Sequence, residues 1–404
     1  MQKCKYDVII VGGGISGSVA GIASSRCGAK TLVIEKQGFL GGMLTAAGVG
    51  PMMTFHAGNK QVIRGITDEL IQRLVSKGKS PGHIFDTTGY TYSVTPFDTE
   101  AMKLELETML LDAGGEILYH TMLAGVRTEN GNITGITVCN KAGLTDLTAR
   151  VFIDATGDAD LSVWAGVDHT KGRESDGLCQ PMTMKVRMVN VDIGAIKAYI
   201  KENPDEFPRL EGDTSIIDKA ERLSIGGFVK TLKEAQKTGE ITFKREDVLF
   251  FETNNRGEVI VNTSRVIGFD GTDPWSLSKA ETEGRRQAHE IAAFLKKRIT
   301  GFENAHMVYT GPVIGVRSSR QIKGIFTLTK NDILNCTRFR DVIAHSGYPI
   351  DIHNPAGEGT SDKGLKWGDM YSIPYRCLIN DKINNLVTVG RCISATFEAQ
   401  AAIR

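Results

Sequence analysis

Gly12, Gly14 and Gly17 form a G-x-G-x-x-G loop between an apolar run at 7–11 and a small-residue segment at 18–27. A strand entering such a loop and a helix leaving it turn backbone N–H groups and a helix N-terminus toward an anion. The first glycine permits the tight turn, the second lets a pyrophosphate approach the backbone, and the third lets helix and strand pack closely. Ile15 and Ser16 complete the loop. Glu35 ends the next apolar run, 31–34, at the spacing where a carboxylate takes ribose hydroxyls. An acid rather than an arginine there points to an unphosphorylated adenosine ribose. The expected chemistry is dinucleotide binding, and the loop alone does not separate FAD from NAD.

The elements around the loop read as α/β. The runs at 7–11 and 31–34 are continuously apolar, as expected of parallel strands covered on both faces. Residues 64–77 and 98–112 repeat apolar positions at helical spacing, the second from a cap at Asp98. Short β runs follow, with 125–128 and 133–139 flanking a hairpin turn at Glu129-Asn-Gly-Asn132. Residues 149–154 form another apolar strand. Beyond Asp168 the texture becomes mixed, with strand-like runs at 182–189, 259–261 and 325–328 and a helix at 279–298. Residues 385–390 return to the first style. The expected organisation is a Rossmann-type cofactor domain at 1–167 with a parallel sheet, a β-meander and a helical insertion at about 56–97. A mixed α/β substrate domain at 168–370 follows, and 371–404 return to the first domain.

Composition excludes several classes of function. The 404 residues carry a formal net charge of +1, which leaves no broad basic face for nucleic acid or an anionic membrane. No apolar run is long enough to span a bilayer, and the start shows no targeting signal. Seven cysteines (Cys4, Cys27, Cys139, Cys179, Cys336, Cys377, Cys392) are scattered without a C-x-x-C pair. That pattern argues against a cysteine-held iron–sulfur cluster, a structural zinc or a dithiol redox centre; no metal is expected, and free thiols point to the cytoplasm. The 45 glycines exceed the roughly 7% usual in proteins, as expected where backbone lies against a large cofactor.

The first strand and glycine loop resemble the FAD-binding oxidoreductases with a glutathione-reductase-like cofactor domain. Within that superfamily the chain resembles the FAD-dependent oxidoreductases related to the flavin subunit of heterodisulfide reductase. Four further places carry the likeness over nearly the whole length. Glu35-Lys36 and Gly41-Gly42-Met-Leu-Thr45 resemble the segment that passes the pyrophosphate and reaches the flavin. Leu123-Ala-Gly-Val126 is similar to the strand whose backbone meets the adenine. The Ala155-Thr-Gly157-Asp158 turn resembles the one that closes over the cofactor. Gly390-Arg391 through Ile403-Arg404 resembles the return holding the flavin end. The resemblance implies FAD, with those residues binding it. It also implies that a helix continues beyond this return with its N-terminus toward the flavin pyrimidine. The sequence stops at Arg404, where that helix is expected to begin, so a truncated chain with weakened FAD binding is expected.

If FAD carries the redox chemistry, the protein supplies position, field and proton transfer. His56, just past the flavin-side loop, could act as acid or base. His353 sits in a turn-rich loop, 351–359, of the kind that often carries function. Arg317 and Arg320 resemble the family's arginine-bearing segment, and two guanidinium groups could clamp a carboxylate. Tyr371, Tyr375 and Arg376 are expected at the junction of the two domains. The expected partners are a small-molecule substrate and an external electron donor or acceptor. The expected activity is hydride transfer between that substrate and the flavin. A flavin monooxygenase, an electron-transfer subunit of a larger complex and a non-catalytic FAD protein are the alternatives.

Overall fold

In the computed structural model, which describes residues 5–357, 359–363 and 365–404 (side chains excepted at 361–363), five parallel strands form the first sheet. Their order is Leu386–Thr388, Ala149–Asp154, Tyr6–Val11, Thr31–Ile34 and Glu116–Leu118. Continuous apolar sequence is required here because both faces are covered. Ile9 and Val11 pack with Ile133, Ile136 and Val138 of the meander, while Ile10 and Val33 pack with Ile22, Leu106 and Leu110 of two helices. Those helices are Ile15–Arg26 and Thr99–Asp112, the second capped by the Asp98 carboxylate, which accepts the Ala101 N–H at 2.9 Å. The meander comprises Met122–Glu129, Asn132–Asn140 and Gly143–Leu147, joined first by the expected hairpin turn.

A second, antiparallel sheet of five strands runs in the order Ser224–Gly227, Val248–Glu252, Val259–Val261, Val186–Val189 and His306–Thr310. One face is closed by the helix Pro274–Arg298, whose Ala288, Ile291 and Leu295 share a core with Met184, Val186 and Val261. The opposite face meets the first half of the molecule. The Val313 N–H donates to the Ala46 carbonyl at 3.1 Å, and the Tyr309 hydroxyl to the Thr45 carbonyl at 3.4 Å.

Several elements differ from their sequence reading. The first helix begins at Ile15 rather than Ser18, with Gly14 in extended geometry as its cap. The 182–189 strand is regular only from Val186. Upstream, the Ser264 hydroxyl replaces the ladder, accepting the Met184 N–H and donating to the Met184 carbonyl, each at 2.8 Å. Residues 325–328 are not a strand. The strand lies earlier, at Arg320–Ile322 against His169–Lys171, and the Ile325 and Phe326 N–H groups donate irregularly to the Ile379 and Arg376 carbonyls. The stretch expected to be a helical insertion holds one helix, Ile66–Ser76, because helical spacing is confined to Ile66, Leu70, Ile71 and Leu74. Short strands surround it at His56–Ala57, Lys60–Gln61, Ile84–Phe85 and Ser93–Thr95. Finally, a helix expected to begin only at Arg404 is already present at Phe397–Ile403. The Thr396 hydroxyl starts it by accepting the Ala399 N–H.

Candidate functional site

The strand Tyr6–Val11 delivers its glycines into a turn that leaves almost no room for side chains. Gly12 has φ +104°, and a Cβ there would collide with the Ala155 carbonyl. At Gly17 it would run into the Gly12 carbonyl, and at Gly42 it would come within 2.7 Å of the Gly14 Cα. Gly14 differs: its nearest obstacle is the Gly42 Cα at 3.8 Å. Ile15 and Ser16, half-buried, start the helix beside it. The buried Glu35 carboxylate braces this turn, accepting the Gly13 N–H at 2.7 Å and the Gln37 N–H at 2.8 Å. Lys36 next to it is exposed. The Thr45 hydroxyl closes its own loop on the Leu40 carbonyl at 2.7 Å. Val126 lies half-buried on the first meander strand.

The second wall comes from strand ends far away in sequence. Asp154, fully buried, accepts from the Thr156 and Ser162 N–H and hydroxyl groups, which shapes the turn through Ala155, Gly157 and Asp158. Gly157 has φ +81°, and a Cβ there would stand 2.8 Å from the Arg391 guanidinium. Arg391 donates to Asp158 at 2.7 Å. Gly390, at φ +87°, packs against Ser16, where a Cβ would lie 3.2 Å from the hydroxyl oxygen. FAD fits this channel on two observations. The space beside Gly14 is open, since a Cβ there would meet nothing nearer than 3.8 Å, and Arg391 Nε is buried without a hydrogen-bond partner among the described residues.

The four candidate catalytic residues separate. Arg317 and Arg320 do not form one clamp. Arg320 is held beside the 155–158 turn, donating to the Asp158 carbonyl at 2.7 Å and pairing with Asp160. Arg317 points elsewhere, donating through one nitrogen to the Pro181 carbonyl at 2.6 Å and to the Thr183 hydroxyl. The ring of His56 meets the Ser93 hydroxyl at 2.8 Å and the rings of His83 and Tyr92, outside the group around Arg317. Burial, helped by His83, lowers its pKa below the ordinary histidine value. Tyr371 is buried, its hydroxyl donating to the Ala402 carbonyl at 2.9 Å. Tyr375 is exposed, and Arg376 pairs with Asp341 at the surface.

His353 does join Arg317. Its ring lies 3.5 Å from Asp351, whose carboxylate also takes Arg404 at 2.7 Å and the Tyr348 hydroxyl at 3.2 Å. Gln180 ties the group together, its side-chain oxygen accepting from Arg404 at 2.6 Å and from the His353 N–H at 3.2 Å. Burial, with the Arg317 charge beside it, brings the His353 pKa down to about 3, so the ring is neutral at ordinary pH. Burial and Arg404 lower Arg317 to about 9. Lys185, absent from the sequence reading, lies in the same field. Burial first, then Arg317, Arg245 and Arg404, depress its pKa well below that of a free lysine. A signal for it exists in Met182-Thr-Met-Lys-Val-Arg-Met-Val189, where apolar residues alternate with polar ones and put two cations on a single face.

A parallel sheet with a glycine turn and its acid, a meander, and a C-terminal return over the turn together define an FAD-binding oxidoreductase fold. The chain belongs to the FAD dependent oxidoreductase family, whose sequence model matches residues 7–404. Among curated proteins it is similar to the digeranylgeranylglycerophospholipid reductase of Methanocella arvoryzae, 26% identical over 90% of this chain and 87% of that one. The enzyme of the same description from Thermoplasma acidophilum is 26% identical over 46% of this chain and 48% of its own length, so that match spans about half of the relative. Among solved structures, L-proline dehydrogenase from P.horikoshii aligns over 98% of this chain and 89% of its own at 12% identity and a TM-score of 0.48. Among the described residues no helix is long and apolar enough to cross a membrane. Cys4, and Glu358 within the 351–359 loop, lie outside the described residues.

Proposed function

We propose that this chain transfers a hydride between a small organic substrate and FAD. The cofactor would lie in the channel between Gly12, Gly14, Ile15, Ser16 and Gly17 on one side and Ala155, Gly157, Asp158, Gly390 and Arg391 on the other. The observation that carries this reading is the convergence of three segments remote in sequence, 41–45, 155–158 and 390–391, on the glycine turn at 12–17. A plain nucleotide fold needs no such return. FAD, when bound, supplies a two-electron redox centre. Glu35 would keep one lone pair on each oxygen for a ribose hydroxyl while holding the turn. The Lys185 face of the second sheet, which meets the 46–51 loop, would form the substrate wall. An external donor or acceptor would complete the cycle. We place the reaction in the cytoplasm, in keeping with six unpaired cysteines among the described residues.

The test begins with the purified protein. It should show the two absorbance bands of oxidised flavin and release FAD, not FMN, on extraction. Anaerobic reduction with candidate donors should bleach the spectrum. Stopped-flow reoxidation should then be slow with oxygen and fast with an organic acceptor. Recovery of NAD alone from the extract would overturn the reading.

A further inference from the structure

The wall opposite the cofactor channel carries more positive charge than its carboxylates balance. Met184, Val186 and Met188 enter the helix-backed core of the second sheet, so the alternation places Lys185 and Arg187 on the other face. That face is the one the 46–51 loop covers. On the neighbouring strands, Ile260 comes close to Gly50 and the Tyr309 ring to Gly48. Besides Arg187, which pairs with Glu258 at 3.1 Å, five cations gather at this face and just behind it: Lys185, Arg245, Arg265, Arg317 and Arg404. Three of these five have carboxylates. Arg245 pairs with Asp247 at 3.1 Å, Arg265 with Glu246 at 3.4 Å and Arg404 with Asp351 at 2.7 Å. Among the described residues Arg317 donates only to a carbonyl and a hydroxyl, both neutral. Lys185 is 6% exposed, and its ammonium makes no hydrogen bond or ion pair among the described residues.

Lys185 is buried and Arg317 half-buried, and two such cations with no ion-pair partner of their own among the described residues are costly unless an anion completes the arrangement. Neutral His353 adds no charge to them, and Asp351 is already engaged by Arg404. We propose that Lys185 and Arg317 together receive a carboxylate of the redox substrate on the flavin-side face of the second sheet. A guanidinium fork beside a compact ammonium suits a planar, singly charged oxyanion. The inference rests on the hydride-transfer reading and adds to it the class of substrate, a small organic acid.

Benzoate serves as the carboxylate probe, with benzamide as its neutral counterpart and inorganic phosphate as a non-planar anion. Binding is followed in parallel by perturbation of the flavin spectrum and by the thermal shift of protein stripped of flavin. Benzoate should perturb the spectrum and raise Tm, and benzamide should do neither. Lys185→Met and Arg317→Gln should each weaken benzoate at least 30-fold with FAD still bound. Lys185→Met should also raise the ligand-free Tm, because it removes an uncompensated buried charge. Four results would overturn the proposal: benzoate without effect, benzoate binding unchanged in both variants, phosphate binding as tightly as benzoate, or a lower Tm in Lys185→Met. A shifted flavin midpoint potential with unaltered benzoate affinity would also defeat it, because the cations would then serve the cofactor. Absence of bound flavin would defeat the hydride-transfer reading, while the thermal shift of stripped protein would still decide whether this face takes a carboxylate.

Discussion

Gly14 and Gly17 stand three residues apart in one turn, yet alanine at each should fail in opposite ways. At Gly17 a Cβ falls closer than 3.0 Å to the Gly12 carbonyl and to the Ala155 methyl. Neither obstacle is a flexible side-chain end, so the helix must move off the strand. Overpacking of that kind costs about 1–3 kcal/mol or more. At Gly14 the backbone is φ −62°, ψ 176°, which any residue adopts, and the nearest atom to a Cβ is 3.8 Å away. Alanine there removes unfolded-state freedom, worth roughly 0.4–1 kcal/mol in favour of the fold. The methyl would lie in the channel where the pyrophosphate is expected to pass. Displacing that contact by about 1.4–2.8 kcal/mol corresponds to roughly 10–100-fold in Kd. Quenching of flavin fluorescence on titrating stripped protein gives Kd, and differential scanning fluorimetry gives Tm. Gly14→Ala should keep or raise Tm and lose FAD affinity, whereas Gly17→Ala should lower Tm first. Unchanged FAD affinity in Gly14→Ala, or equal losses of Tm in both, would refute the placement of the cofactor.

Arg320→Lys should lower stability by about 1–3 kcal/mol, because an ammonium cannot serve the Asp158 carbonyl and Asp160 together, and KM for any substrate should stay within twofold. A raised KM with Tm unmoved would return Arg320 to the substrate. His353, at about 3 when folded against an ordinary value of 6.5, resists protonation because it is buried and faces Arg317 and Arg404, against the opposing pull of Asp351. Its contribution to stability is therefore complete above pH 6.5 and lost as pH falls from 6.5 toward 3. That adds a slope of up to about 1.4 kcal/mol per pH unit, which urea titrations across pH should detect. His353→Gln should flatten this slope, and an identical acid profile in the variant would refute the assignment.

The cofactor half was the legible half of the sequence. Backbone chemistry governs it: a continuous apolar strand, three glycines at fixed offsets and an acid at the end of the next strand are local signals. Asp98 was equally readable, since an N-cap acts within one turn. The half proposed to hold the substrate was not. Arg317 and Arg320 look equivalent along the chain, and only the fold sends one to Asp160 and the other toward Thr183 and the Lys185 face. His353 becomes neutral through burial beside Arg317, a contact between segments no periodicity connects. Lys185 shows in the alternation of 182–189, but its isolation depends on which carboxylates the neighbouring strands bring, and those come from 246–247 and 351. The strand misplaced to 325–328 has the same cause, because its partner, His169–Lys171, lies far upstream.

The outermost strand of the parallel sheet, Leu386–Thr388, pairs with Ala149–Asp154, and Gly390 closes on Ser16 of the glycine turn. During synthesis the residues of the glycine turn leave the ribosome well before those that roof it. Every residue of the antiparallel sheet, from 186 to 310, emerges before the roof exists, and domains generally fold as units in order of emergence. The antiparallel sheet should therefore be shaped while the proposed cofactor channel is still open along one edge. Capture of the cofactor there would follow the docking of Leu386–Thr388.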